Sequence, residues 1–326
     1  MTKKQSLFFR KLKNEKFVLI DGNAILHRAY HALPPLTTSK GELVNAVFGF
    51  CSMLLKTIQD FRPSHLAVCF DRPKPTFRKK MFANYQAKRP KMAEDLIPQV
   101  ALVHKVLEVM EIPIFEIDGY EADDVIGTIA AQAAKIKNLG TIIVSGDRDM
   151  LQLVSDRVKV YAPVKGLSEA KLYDEKAVLE KWGVLPSQVP DLKALMGDPS
   201  DNYPGVAGIG PKTAGELIKR FKTLEKLYEE IEKLENEKTK EKLIKEEKAA
   251  VIAKQLATIV TDVPVSLNLE KCELSNLDRE EVRRLMEELE FKILIPRLAD
   301  RPDKKAEGQK VQRKEEKKEA EQIKLF

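Results

Sequence analysis

The sequence predicts an α/β protein on a central, mostly parallel sheet, and two observations carry that reading. Short apolar runs, each ended by an aspartate, alternate with amphipathic stretches of helical period. An acid cluster, Glu121-Ala122-Asp123-Asp124, stands at a helix start ahead of the third run.

Phe17-Val18-Leu19-Ile20 runs into Asp21-Gly22, a buried-strand pattern followed by a turn. His65 to Phe70 ends in Asp71, and Thr141-Ile142-Ile143-Val144 passes through Ser145-Gly146 into Asp147 and Asp149. Leu43 to Phe61 and Leu96 to Met110 repeat apolar residues at steps of three and four, so the order is β, α, β, α, β. Ligands bind at the C-terminal strand edge of such a sheet. Asp21, Asp71 and Asp147 are therefore expected to meet there, opposite the helix that opens at Glu121.

One aspartate after a strand is ordinarily a turn residue. One acid in a first helical turn complements the dipole and caps free amides. Gly119 to Gly127 exceeds that need, with three carboxylates in four positions ahead of Val125, Ile126 and Ile129. Taken alone it also fits a generously capped helix; the acids at three strand ends favour a metal. Oxygen donors without His or Cys suit Mg²⁺ or Mn²⁺.

Asp198 and Asp201 add a pair across a proline-containing turn. Gly205-Val206-Ala207-Gly208-Ile209-Gly210 then leads into Pro211-Lys212-Thr213-Ala214. A glycine hairpin with proline in the first helical turn exposes backbone N–H groups that suit a phosphate, with Lys212 beside them. Such a string also joins ordinary helix–hairpin–helix pairs; the neighbouring acids and lysine favour contact with DNA.

A chain of 326 residues with 43% apolar content can bury a large core, as one domain or two sharing a cleft. No apolar run reaches the roughly 18 residues of a membrane span, and Met1 to Lys16 is basic without a signal-peptide core, so a cytoplasmic location is expected. Cys51, Cys69 and Cys272 lack the spacing of a zinc site or disulfide framework. The net charge of +6 is segregated: Arg72 to Lys91 holds eight basic residues and no acid, both termini are basic, and the body is net acidic. That division suggests metal at one place and a polyanion at others. Thr223 to Glu290 is charged and helical in pattern, and after Ala299 the composition is that of a disordered tail.

From Phe17 to Ala299 the chain resembles the 5′→3′ exonuclease (flap endonuclease) domain of bacterial DNA polymerase I. The matching strings are Ile20-Asp21-Gly22-Asn23 with Arg28 to Leu33, Phe70-Asp71 followed by Phe77-Arg78, Gly119 to Asp124, Ser145 to Asp149, and Gly197 to Asn202 through Gly208-Ile209-Gly210 to Lys212-Thr213-Ala214. The resemblance implies a PIN-like core holding two divalent metals, then a helical region whose helix-hairpin-helix grips duplex DNA and binds K⁺. The family's metal positions match Asp21, Asp71, Glu121, Asp123, Asp124, Asp147, Asp149, Asp198 and Asp201. Asp21, Asp71, Glu121 and Asp123 are assigned to one ion and Asp147, Asp149 and Asp201 to the other, with Asp124 and Asp198 in either the inner or outer shell.

The basic segment, about residues 72–95, corresponds to the family's helical arch, and its Phe77, Phe82 and Tyr85 fit base stacking. Arg78, Lys88 and Arg89 are expected to stabilise charge on the scissile phosphate, and Arg28 and Tyr30 to contact DNA near it. The family's Tyr-Lys-x-x-Arg reads here Tyr85-Gln86-Ala87-Lys88-Arg89. Lys88 is the expected replacement for the missing lysine, one helical step away.

The expected organisation is a basic extension (1–16), a nuclease core (17–175), a helix-hairpin-helix region (176–299) and a charged tail (300–326). Gln322-Ile323-Lys324-Leu325-Phe326 resembles the bacterial sliding-clamp-binding motif, and that ending suggests a stand-alone nuclease; a monomer is expected. Two alternatives are a PIN-type ribonuclease and a non-catalytic scaffold at DNA junctions or the clamp; DNA with a 5′ flap or nick is the expected substrate.

Overall fold

A computed structural model describes residues 15–165 and 169–299. Residues 1–14 of the basic extension and the whole tail, with Gln322, Leu325 and Phe326, lie outside the described residues. Six strands form one sheet in the order β3-β2-β1-β4-β5-β6. Their spans are β1 Glu15–Asp21, β2 His65–Cys69, β3 Ile114–Phe115, β4 Leu139–Val144, β5 Val158–Lys165 and β6 Glu169–Tyr173. All neighbours are parallel except β6, which pairs antiparallel with β5 at the sheet edge.

β1, β2 and β4 are buried throughout their apolar stretches, because helices cover both faces of the sheet. Alternation sends Phe17 and Leu19 into one apolar layer and Val18 and Ile20 into the other. Helices α1 (Gly22–Ala32), α2 (Asn45–Phe61) and α4 (Ile97–Val109) supply the second layer, while α5 (Ala122–Ala133) opens the first. Between α2 and α4, the arch segment contains one five-residue helix, α3 (Phe77–Met81). Turns follow at 83–88, so the expected helical character is confined to that short piece.

The helical half continues as α6 (Glu175–Trp182), α7 (Val189–Met196), α8 (Pro211–Phe221), α9 (Leu224–Glu229), α10 (Glu237–Lys245) and α11 (Glu247–Ala257). The chain then returns to the first half. Leu274 N–H donates to Ser64 O at 2.9 Å, and Val282, Leu285 and Met286 of α12 (Glu280–Glu288) pack with Phe50 and Leu54 in the second layer.

Register positions the site. Asp21 pairs with Cys69 and Ile20 with Val144. The chain thus leaves β1, β2 and β4 at one edge, delivering Asp21, Asp71 and Asp147 together as expected. No intervening turn follows β1: Asp21 is its last residue and also the N-cap of α1, its Oδ1 accepting from Ala24 N–H at 2.9 Å. All three cysteines are free and buried. Among the described residues no helix is long and apolar enough to cross a membrane.

Candidate metal centre

A cleft of about 820 Å³ opens at this edge, and Asp21, Asp71, Glu121, Asp123, Asp147 and Asp201 line it. Hydrogen bonds hold the acids in place. Ser145 Oγ donates to Asp21 Oδ2 at 2.6 Å and accepts from Asp147 N–H at 2.9 Å, so one serine orients two carboxylates. Asp71 Oδ1 accepts from Ala122 N–H at 2.7 Å, at the start of α5. Asn23 Oδ1 accepts from Asp71 N–H at 2.8 Å.

Confining these groups raises their proton affinity. Burial, then the nearby charges of Asp71 and Asp147, pushes Asp21 up to about 7 despite its hydrogen bonds. Glu121 also rises to about 7, chiefly through burial, with Arg78 opposing. Asp123 lies well above the usual carboxylate range, and Asp71 and Asp147 are raised by burial. Packed carboxylates that burdened with their own charge fit a hard divalent cation.

The remaining acids have side-chain cations of their own. Asp149, Asp198 and Asp201 bring one oxygen each within 4.8 Å of one another. The ammonium of Lys193, on α7, bonds Asp149 and also Asp198, the latter at 2.6 Å. Burial pushes Asp198 up, but hydrogen bonds from Lys193 and Ser200 hold it below the usual range. Lys193 is a site residue that sequence reasoning missed. So is His27, which lines the cleft on α1, whereas Arg28 and Tyr30 are outside that lining and the Tyr30 hydroxyl donates to Asp95 at 2.8 Å.

Arg78 departs from its expected role. Its guanidinium is 2% exposed and forks onto Asp124 at 2.7 and 2.8 Å, with Glu121 at 3.2 Å and the carbonyls of Leu256 and Thr258 taking further N–H groups. A buried, bidentate arginine has no donor left for a phosphate. Asp124 is equally committed: it is fully buried and also accepts from the Glu121 and Val260 N–H groups, which removes it from the cleft. The pair is a structural clamp between α3, α5 and residues 256–260.

The arch segment reaches the acids through Tyr85 and Arg89. Arg89 Nη2 donates to Asp201 Oδ1 at 2.7 Å. The Tyr85 hydroxyl donates to Glu121 at 3.1 Å and faces Asp201 Oδ2 at 3.4 Å, and its ring stacks on Tyr203 with centroids 6.4 Å apart. Tyr85 is 3% exposed, which leaves no free face for a base in this arrangement. Gln86 lines the cleft with φ +53°, and its N–H donates to Asp201 O at 2.8 Å. Lys88 is exposed and outside the cleft lining; the turns at 83–88 replace the helix that would have carried it to the missing lysine's position.

Beyond Asp201 lies the glycine hairpin. Asp198 and Tyr203 exchange both backbone hydrogen bonds, at 3.0 and 3.1 Å, which ties the acid loop to the hairpin. The glycines differ in what demands them. A Cβ on Gly205 would fall 2.3 Å from Gly197 N, Gly208 has φ +77°, and a Cβ on Gly210 would meet nothing within 4 Å. Lys212 and Thr213 follow at the start of α8, Lys212 exposed and Thr213 half-buried.

Residues 16–183 match the family model for the 5′-3′ exonuclease N-terminal resolvase-like domain, and residues 184–280 that for the 5′-3′ exonuclease C-terminal SAM fold. DNA polymerase I of Bacillus subtilis is 40% identical over 288 residues, covering 88% of this chain and 33% of the relative. DNA polymerase I of Geobacillus stearothermophilus is 43% identical over 299 residues, covering 92% and 34%. The chain thus spans about a third of the length of the curated relatives it matches. Among solved structures, a bacteriophage T5 flap endonuclease with DNA and metal ions superposes with TM-score 0.64 at 19% identity, over 85% of this chain and 100% of that one. Flap endonuclease-1 from Methanococcus jannaschii gives 0.55 at 21% identity, over 90% and 93%. The structural likeness establishes the shared fold.

Two outcomes follow from the electrostatics. Arg78→Met leaves Asp124 buried without its counter-ion and should destabilise the fold by about 3–5 kcal/mol in urea unfolding; a loss below about 1 kcal/mol would contradict the clamp. In the metal-free protein Asp21 and Glu121 stand near 7 against ordinary values of 3.8 and 4.5. Between those limits the folded state binds more protons than the unfolded, so metal-free stability falls as pH rises. Metal displaces those protons, so the gain in Tm on adding Mg²⁺ should grow up to about pH 7; a gain independent of pH would contradict this.

Proposed function

The chain belongs to the 5′-3′ exonuclease family, and we propose that it is a divalent-metal-dependent 5′→3′ exonuclease and 5′-flap endonuclease hydrolysing DNA phosphodiesters. The observation that carries this reading is the cleft itself, six carboxylates facing a basic segment. Such a pairing suits metal on one wall and a polyanionic strand on the other.

Asp21, Asp71, Glu121 and Asp123 would hold one Mg²⁺ or Mn²⁺ ion and Asp147, Asp149 and Asp201 a second, with Asp198 beside them and Lys193 bonded to both Asp149 and Asp198. Bound divalent ions supply a nucleophilic hydroxide and charge stabilisation at the leaving oxygen. The protein's own groups do the rest. Ser145 keeps Asp21 and Asp147 oriented, and Arg89, already in the cleft, is the arch cation best placed to meet the scissile phosphate. Backbone groups at Gly205 to Gly210, with Lys212 and Thr213, would take the duplex phosphates, and a K⁺ ion fits the same hairpin. The core and helix-hairpin-helix halves divide this labour, metal chemistry in the first and duplex grip in the second.

The biological setting inferred is primer removal and repair in the cytoplasm, by a monomer. Clamp recruitment through Gln322, Leu325 and Phe326 belongs to the same proposal: deleting the five terminal residues should abolish clamp binding in fluorescence anisotropy, and unchanged affinity would refute it. Incubation with labelled 5′-flap DNA, nicked duplex and single-stranded RNA, in Mg²⁺ or EDTA, tests the activity. Flap and nick cleavage in Mg²⁺ alone is expected, lost by about a hundredfold or more in Asp147→Ala while flap binding persists. Cleavage of RNA alone, or binding without turnover, would overturn the assignment.

A further inference from the structure

The group formed by Asp149, Asp198 and Asp201 differs from Asp21, Asp71 and Asp123 across the cleft because its charge is already answered. Asp21, Asp71 and Asp123 form no ion pair among the described residues. Lys193 bonds Asp149 and Asp198, and Arg89 bonds Asp201. Asp201 is held almost wholly from the arch segment: Arg89 takes one carboxylate oxygen, Tyr85 faces the other, and Gln86 N–H takes its backbone carbonyl.

The two cations are not equally movable. Lys193 rises from a buried helix, and its side chain is 6% exposed. Arg89 is carried by turns, its side chain 49% exposed, and a phosphate entering the cleft would compete directly with Asp201 for the guanidinium fork. A divalent ion arriving first would meet two resident cations and an acid already paired with one of them. One arriving after a phosphate has taken Arg89 would find Asp201 open and an added negative charge beside it.

We propose that Arg89 is the gate of the second cation site: the site around Asp149 and Asp201 takes its divalent ion only when a nucleic-acid phosphate has drawn Arg89 off Asp201. The inference rests on the metal-dependent reading above and deepens it, making assembly of the complete site conditional on substrate. Coupling of this kind is reciprocal, so DNA should tighten the second ion by the same factor that the ion tightens DNA.

Mn²⁺ provides the probe, because free Mn²⁺ can be counted by electron paramagnetic resonance on the full chain without turnover. Without DNA one Mn²⁺ should bind tightly and a second about tenfold or more weaker; a 5′-flap oligonucleotide with phosphorothioate linkages at the cleavage site should bring the two together. Arg89→Gln, with its fold checked by circular dichroism, should strengthen the second ion without DNA and remove most of the DNA effect. Lys193→Gln should strengthen the second ion while leaving the DNA effect in place. Two equal sites in the DNA-free wild type, or a second site unchanged by Arg89→Gln, would overturn the gate while leaving the metal reading intact. Absence of any bound Mn²⁺ would overturn both.

Discussion

Carboxylates that converge in a low-dielectric pocket repel one another, and much of the structure around the cleft answers that repulsion. The answers differ from acid to acid. Asp124 is neutralised by a buried arginine, Asp149 and Asp198 by a buried lysine, and Asp201 by an arginine carried on surface turns. Asp21 and Asp71 receive helix-start amides instead, with Ser145 added at Asp21. That leaves a pocket with raised proton affinity on one side and internal counter-charge on the other, an asymmetry that distinguishes its two halves before any ligand enters.

The Arg78–Asp124 fork also explains how the halves stay in register. Its donors reach the carbonyls of Leu256 and Thr258 at the end of α11, and Asp124 takes the N–H of Val260. The start of α5, the root of the arch segment and the end of the helical half therefore share one buried ion pair. A small apolar cluster that includes Tyr85, Tyr203, Leu256 and Ala257 joins the arch segment, the loop after Asp201 and the end of α11 a few residues away. Displacing the arch from Asp201 would disturb that cluster's rim at Tyr85 while Arg78 remains anchored.

The strand and acid pattern was legible because buried parallel strands are continuous apolar runs and their last residues share an edge. β5 and β6 were not, since Val158-Lys159-Val160-Tyr161 and Glu169-Ala170-Lys171-Leu172-Tyr173 mix charge with apolar residues at the sheet margin. Lys193 was hidden for a different reason. Within Asp191-Leu192-Lys193-Ala194-Leu195 it reads as the polar position of an ordinary helix, and only folding turns that position toward Asp149, 44 residues earlier.

The basic segment divides the two kinds of information most sharply. From residue types alone, Arg72 to Lys91 was a cationic stretch next to acids, and that conclusion holds in three dimensions. Which cation does what was undetermined, because Arg78, Lys88 and Arg89 differ in sequence only by position. Burial beside Asp124 makes Arg78 structural, a left-handed turn at Gln86 sends Arg89 inward, and the same turns leave Lys88 in solvent. Sequence by itself determined the inventory of acids, the strand ends that gather them at one edge and the sign of charge beside them, since these follow from composition and periodicity. The pairing of each acid with a proton, a side-chain cation or an open cleft was decided by tertiary structure, because charge partnership depends on distance and desolvation between segments far apart in the chain.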